Sequence, residues 1–231
     1  MKNREFTEVT RITLVIHHGL SQEALELLKK IGIKSVMLES ARTARIRIKT
    51  TLFDFLGFSD PIEDSPTDII RIIVQPNDAE KTVAFLIDKL DLRIAGRGAV
   101  YAQNLKELSI REFPPVYIED FNKVTLLHDL TLITGIQSQS GSGESISKVA
   151  LRLGAGVPIV SLGKGTGIRD RLGLLRITIS PEKELTYLIV PSFDANGLQN
   201  LLIEKGKLNR PGGGFMYQTP IRFGAVDPLV R

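Results

Sequence analysis

The sequence predicts an α+β protein made of two tandem copies of a βαββαβ unit, each unit forming an antiparallel sheet. Three observations lead there. β-rich and helix-periodic runs follow the order strand, helix, strand, strand, helix, strand in each half. A Pro-Pro pair in 112–121 (EFPPVYIEDF) suits neither a helix nor a central strand and separates the halves. An ungapped offset of 116 residues superposes 57–102 on 173–218 with 12 identities in 46 positions. The expected organisation is a first unit over 1–111, a linker at 112–121 and a second unit over 122–231.

In the first half, Arg11 to Ile16 (RITLVI) is a short β-rich run. Ser21 is placed as an N-cap, and Ala24, Leu25, Leu27, Leu28 and Ile31 give the following helix an apolar face that Gly32 ends. Ile33 to Leu38 reads as the second strand and Ile69 to Val74 (IIRIIV) as the third. Between them, 39–65 is first basic, then acidic, and contains Phe53, Phe55, Leu56 and Phe58. Pro76-Asn77-Asp78 opens a helix over Ala79 to Leu90, and Ala99 to Gln103 is the fourth strand.

The second half repeats the order. Leu130 to Ile136 is a strand, and Ser145 caps a helix that runs to Leu153 and closes at Gly154-Ala155-Gly156. Val157 to Leu162 and Leu185 to Val190 are strands, Asp194 to Glu204 a helix, and Phe215 to Thr219 the last strand. The identities include Gly57/Gly173, Ile73/Ile189, Asp78/Asp194, Gly96/Gly212, Gly98/Gly214 and Tyr101/Tyr217. Upstream, Gly32-Ile33 matches Gly156-Val157 at an offset of 124, so the eight-residue difference falls between Leu38 and Gly57. An insertion of that kind is tolerated in a loop rather than in a packed element.

Composition narrows the function classes. Of 231 residues, 42% are hydrophobic and 24% charged, and no apolar run is long enough to span a membrane. The absence of cysteine excludes disulfides and thiolate metal sites and agrees with a cytoplasmic location. A net charge of +4 permits an anionic ligand, but the basic residues are too scattered to predict nucleic-acid binding. The local cluster Arg42, Arg45, Arg47 and Lys49 reads as a solvated edge or a phosphate contact, and Asp60, Glu63 and Asp64 as an acidic surface loop.

Three glycine loops carry the candidate chemistry. Gly96-Arg97-Gly98 and Gly212-Gly213-Gly214 each precede the last strand of a unit, where a backbone without side chains can turn tightly or offer N–H groups to an anion. The segment 163–173 supplies Gly163, Lys164, Gly165 and Thr166 together with Arg169 and Arg171, which fits a phosphate cradle or a plain Gly-rich connection. It lacks the P-loop spacing. His17, His18 and His128 are the only histidines, and strand neighbours point to opposite faces, so no metal site is expected. The serines of 138–145 have no elbow motif, and no catalytic residue is assigned.

Taken together, the doubled split βαβ (ferredoxin-like) unit, the long excursion between its second and third strands and the Gly-x-Gly loop before its fourth resemble the P-II nitrogen regulatory proteins in a divergent tandem form. The resemblance implies a non-enzymatic signalling protein of nitrogen regulation that assembles as a trimer and holds ATP or ADP in clefts between subunits. It also implies that the excursions, here 39–65 and 163–172, dock on a regulated target protein. Under it, Gly96, Gly98, Gly212 and Gly214 match the phosphate-facing loop, and Gly163, Gly165 and Thr166 the base of the docking loop. Ala99 and Phe215 stand where that family has a lysine, and neither excursion contains its modified tyrosine. Lys164 or Arg169 would then supply the phosphate's counter-charge. The alternative is a structural interaction module of the same fold that binds no ligand, with LFDFLGF (52–58) as its anchor.

Overall fold

The computed structural model describes residues 6–46, 62–107, 115–138, 141–164, 169–172, 175–178, 182–210 and 213–226. The protein is α+β, as expected, with four α-helices among the described residues. In chain order the elements are β1 (Thr7–His17), α1 (Ser21–Lys30), β2 (Met37–Ile46), β3 (Ile62–Val74), α2 (Ala79–Lys89), β4 (Gly98–Glu107), β5 (Leu130–Gln137), α3 (Ser142–Arg152), β6 (Ile159–Lys164), β7 (Arg169–Leu172), β8 (Leu175–Thr178), β9 (Glu182–Pro191), α4 (Ser192–Lys205), β10 (Gly214–Ile221) and β11 (Phe223–Ala225). None of the helices described is long and apolar enough to cross a membrane.

The chain divides into two compact units. Unit 1 holds residues 1–40, 66–130 and 220–231; unit 2 holds 41–65 and 131–219. The units therefore do not follow the chain as 1–111 and 122–231. Part of the first excursion is counted with unit 2, and the C-terminal residues with unit 1. Residues 115–126, expected to begin as a linker, are instead part of the unit 1 core: Val116 is 6% exposed, and Ile118, Phe121, Val124 and Leu126 pack on that core. Of the Pro-Pro pair, Pro115 is exposed and Pro114 lies outside the described residues.

In unit 1 the strands run in the order β2–β3–β1–β4–β11, and β1 pairs antiparallel with both β3 and β4. Alternation along β1 turns Ile12, Leu14 and Ile16 toward a core shared with Ala24 and Leu28 of α1 and Val83, Leu86 and Ile87 of α2. In unit 2 the order is β10–β5–β9–β6–β2, with Ile133, Leu188 and Val190 packed on Ile146 and Ala150 of α3 and Leu198 and Leu202 of α4. Strands β7 and β8 form a separate antiparallel hairpin.

Hydrogen bonding repeats between the units. After α2, the amides of Leu90, Asp91, Leu92, Ile94 and Arg97 donate to the carbonyls of Leu86, Asp88, Ile87, Asp91 and Ile94. After α4, the amides of Gly206, Lys207, Leu208, Arg210 and Gly213 repeat those bonds 116 residues on. Asp91 and Lys207 occupy the same left-handed position, at φ 49° and 55°. After α1 and α3 the bonds of Ile31, Gly32 and Ile33 recur at Leu153, Gly154 and Ala155. Gly32 thus corresponds to Gly154, at an offset of 122, and not to Gly156.

Several expected boundaries move. β2 begins at Met37 rather than Ile33, because residues 31–33 are engaged in closing α1. Ser21 is the first residue of α1 and not its cap. α3 starts at Ser142, with Gly141 at φ 80° as its N-cap; Ser145 lies inside it and donates its hydroxyl to the Gly141 carbonyl.

Candidate functional site

Of the residues singled out in the sequence, Gly98 and Gly214 lie where the first strand of each unit ends and the fourth begins. In unit 1 the amide of His17 donates to the Arg97 carbonyl; in unit 2 the amide of Ser138 donates to that of Gly213. Gly98 and Gly214 sit at these junctions with φ of 142° and 137°. A Cβ on Gly98 would lie 2.0 Å from the Val15 carbonyl oxygen, and one on Gly214 2.2 Å from that of Ile136. Close approach of two backbones therefore requires glycine at both positions. Gly96 turns at φ 85°, and Arg97 folds back so that its Nε donates to the Leu90 carbonyl at 2.7 Å, capping the end of α2. Gly212 lies outside the described residues.

Gly163 and Lys164 are not loop residues but the last two residues of β6, paired with Lys183 and Glu182 of β9. Lys164 is exposed. Arg169 opens β7, and Gly165 and Thr166 lie outside the described residues. Lys183 was not singled out by sequence. Its Nζ donates to the Ser138 hydroxyl at 2.9 Å, and Ser138 also donates its amide to Gly213. The end of β6 and the Gly213-Gly214 turn are thereby joined through Lys183 and Ser138, which puts a cation between them.

A second feature of this end was also missed. Asp68 of β3 and Glu184 of β9, 116 residues apart, are 2% and 6% exposed, and each faces the start of its unit's first helix. Asp68 Oδ2 accepts from the Ser21 hydroxyl and from Nδ1 of His18, at 2.5 and 2.7 Å. Glu184 accepts from the amides of Gly141 and Gly143 at 2.9 and 2.6 Å. A carboxylate at a helix N-terminus meets unpaired N–H groups and the positive end of the dipole. The His18 side chain is otherwise 67% exposed. The single signal in the sequence was an acid at equivalent positions of two repeats.

Elsewhere, Arg42 pairs with Asp64 at 3.2 Å with both side chains well exposed, which fits a solvated edge. The side chains of Arg45 and Glu63 and the segment 47–61 are not described. Among the described residues no group of three acidic, His or Cys side chains is placed to hold a metal. No protein-family model matches the chain, and no curated protein matches it significantly.

Proposed function

We propose that the chain is a non-enzymatic regulatory protein of two ferredoxin-like units, similar in plan to the P-II signalling proteins, with a small anion sensed at the glycine-turn end of unit 2. The observation that carries this reading is the Lys183–Ser138–Gly213 connection, which joins the base of the second excursion to the turn before β10 and adds a cation there. Lys164, exposed at the end of the neighbouring strand β6, provides a second positive charge at this end of unit 2. The unit plan is supported by strand orders that set the first and third strands of each unit side by side at its centre, and by the hydrogen bonds repeated at an offset of 116.

In this reading the ligand is an adenine nucleotide such as ATP or ADP, and its occupancy changes how residues 39–65 and 163–172 engage a regulated partner protein. The protein is a cytoplasmic homo-oligomer, a trimer by the same likeness, and works in nitrogen regulation. Calorimetry of the full chain with ATP, ADP and AMP tests it. Binding that Lys164→Ala weakens by roughly 1–3 kcal/mol supports the reading. Absence of heat with all three nucleotides at millimolar concentration refutes the nucleotide version.

One observation favours a ligand-free interaction module. Phe215 and Tyr217 on β10 are 57% and 43% exposed and stack on each other with centroids 6.3 Å apart. Light scattering of the wild-type chain and of Tyr217→Asp separates the two readings. Loss of an oligomer in the variant, with no nucleotide binding in either protein, selects the interaction module.

A further inference from the structure

β1 carries Arg11 and Thr13 on the face of the unit 1 sheet opposite to Ile12 and Leu14, and so on the side away from α1 and α2. Across the sheet, Arg11 stands beside Gln103 of β4 and Ile73 of β3, and Thr13 beside Tyr101 and Arg71. Arg11 Nη2 donates to Oε1 of Gln103 at 2.6 Å. Gln103 is 4% exposed and donates its own amide nitrogen to the Pro220 carbonyl at 3.3 Å, which fixes its oxygen toward Arg11.

That neutral amide leaves the guanidinium incomplete. Nε of Arg11 is buried and has no partner, and neither has the hydroxyl of Thr13, a residue 1% exposed. Among the described residues no carboxylate pairs with Arg11. Its neighbour Arg71 has Glu39, and Arg42 has Asp64. A guanidinium stays charged at any accessible pH, and a buried N–H facing neither an acceptor nor water is costly. Residues i and i+2 of a strand project on one side, so two unpaired donors and one uncompensated positive charge share a single patch.

We propose that this patch is a binding site for a small oxyanion, a phosphate or a carboxylate group, held by Nε of Arg11 and the hydroxyl of Thr13 and positioned by Gln103. An oxyanion offers only acceptors, satisfies both donors and supplies the missing charge, whereas a cation or a neutral donor does neither. Arg11 is half-buried, so part of its guanidinium stays within reach of solvent. Unit 2 lacks the site: by the correspondence of His17 with Ser138, Leu132 takes the place of Arg11 and Thr134 that of Thr13. The chain binds one such anion, in unit 1, independently of the glycine-turn site proposed above.

The test is calorimetry and thermal unfolding of the full chain in sodium phosphate, sulfate and acetate, each against sodium chloride at matched ionic strength. The expected result is a saturable rise in Tm and one site per chain for at least one oxyanion. A response to phosphate and sulfate assigns a tetrahedral ligand; a response to acetate assigns a carboxylate. Thr13→Val, nearly isosteric and free of the unpaired hydroxyl, is expected to weaken binding by about tenfold, and Arg11→Met to abolish it, while Lys164→Ala leaves it unchanged. No response beyond ionic strength to any of the three anions, or a response that persists in both Thr13→Val and Arg11→Met, overturns the site. So does a stoichiometry of two per chain in the Lys164→Ala variant.

Discussion

Gly98 and Gly214 show how one residue type can be required for geometry alone. Each has a positive φ and a neighbouring carbonyl oxygen where a Cβ would have to go. Gly214→Ala is therefore expected to lower the unfolding free energy by about 3 kcal/mol, from strain and overlap together. Gly154 is a useful control, with φ 67° but open space around its Cβ position. Gly154→Ala should cost only the left-handed strain, about 1 kcal/mol. Urea unfolding of the two variants measures the difference directly. The glycine pairs were legible in the sequence because repetition is a property of the sequence itself. Their reason was not, since it depends on Val15 and Ile136, which stand 83 and 78 residues away in the chain. Asp68 and Glu184 were harder still. The same position is read by a hydroxyl and an imidazole in one unit and by two backbone amides in the other.

Among the elements, those with strong periodicity were read well and those without it were not. α2, β1, β5 and β9 lie close to where apolar spacing put them, and α4 close to where its equivalence with α2 in the repeat put it. β2 was misplaced because Met37–Ile46 (MLESARTARI) has no sustained apolar alternation and carries charge that Asp64 neutralises at Arg42. The four-residue strands β7 and β8 and the three-residue β11 are shorter than any periodic signal. Glu184 gives a test of an element boundary: Glu184→Ala leaves the amides of Gly141 and Gly143 without their acceptor and is expected to cost about 2 kcal/mol, seen as a lower Tm.

The 115–126 segment has a titratable attachment. Asn122 donates its side-chain amide to Asp88 of α2 at 2.7 Å. That bond, the Asn122 backbone amide and Lys89 hold the Asp88 carboxyl below its ordinary value, against the opposing effect of burial. Since the folded-state pKa is depressed, the contribution to stability is complete above the unfolded-state pKa and is lost as pH falls through the folded one. Asn122→Ala should move the Asp88 titration upward, and the acid limb of the stability curve with it. Carboxyl NMR titration of the two proteins checks this; an unchanged Asp88 midpoint would count against the attachment.

For the molecule as a whole, the division into units sets what can fold alone. Unit 1 takes in residues 66–130 and 220–231 as well as 1–40, and Phe223, 3% exposed, belongs to its core. The fragment 1–111 lacks 115–130 and 220–231 and is expected to show no cooperative unfolding transition by circular dichroism. Phe223→Ala in the full chain should cost about 3–5 kcal/mol. The sequence revealed two repeats of similar length but could not reveal that the units exchange segments, because that is decided by partners far along the chain, as with Phe223 on β4.

Strand β11 has a consequence for synthesis. Phe223, Gly224 and Ala225 pair with Ala102, Tyr101 and Val100 of β4, so the segment that covers that edge of the unit 1 sheet leaves the ribosome well after β4 itself, with the whole of β5 to β10 between them. Until then β4 presents unpaired backbone to other chains, the condition under which strands associate edge to edge. A nascent chain, or one truncated before Phe223, is expected to aggregate through that edge, so residues 223–225 act as the protein's own guard against misassembly.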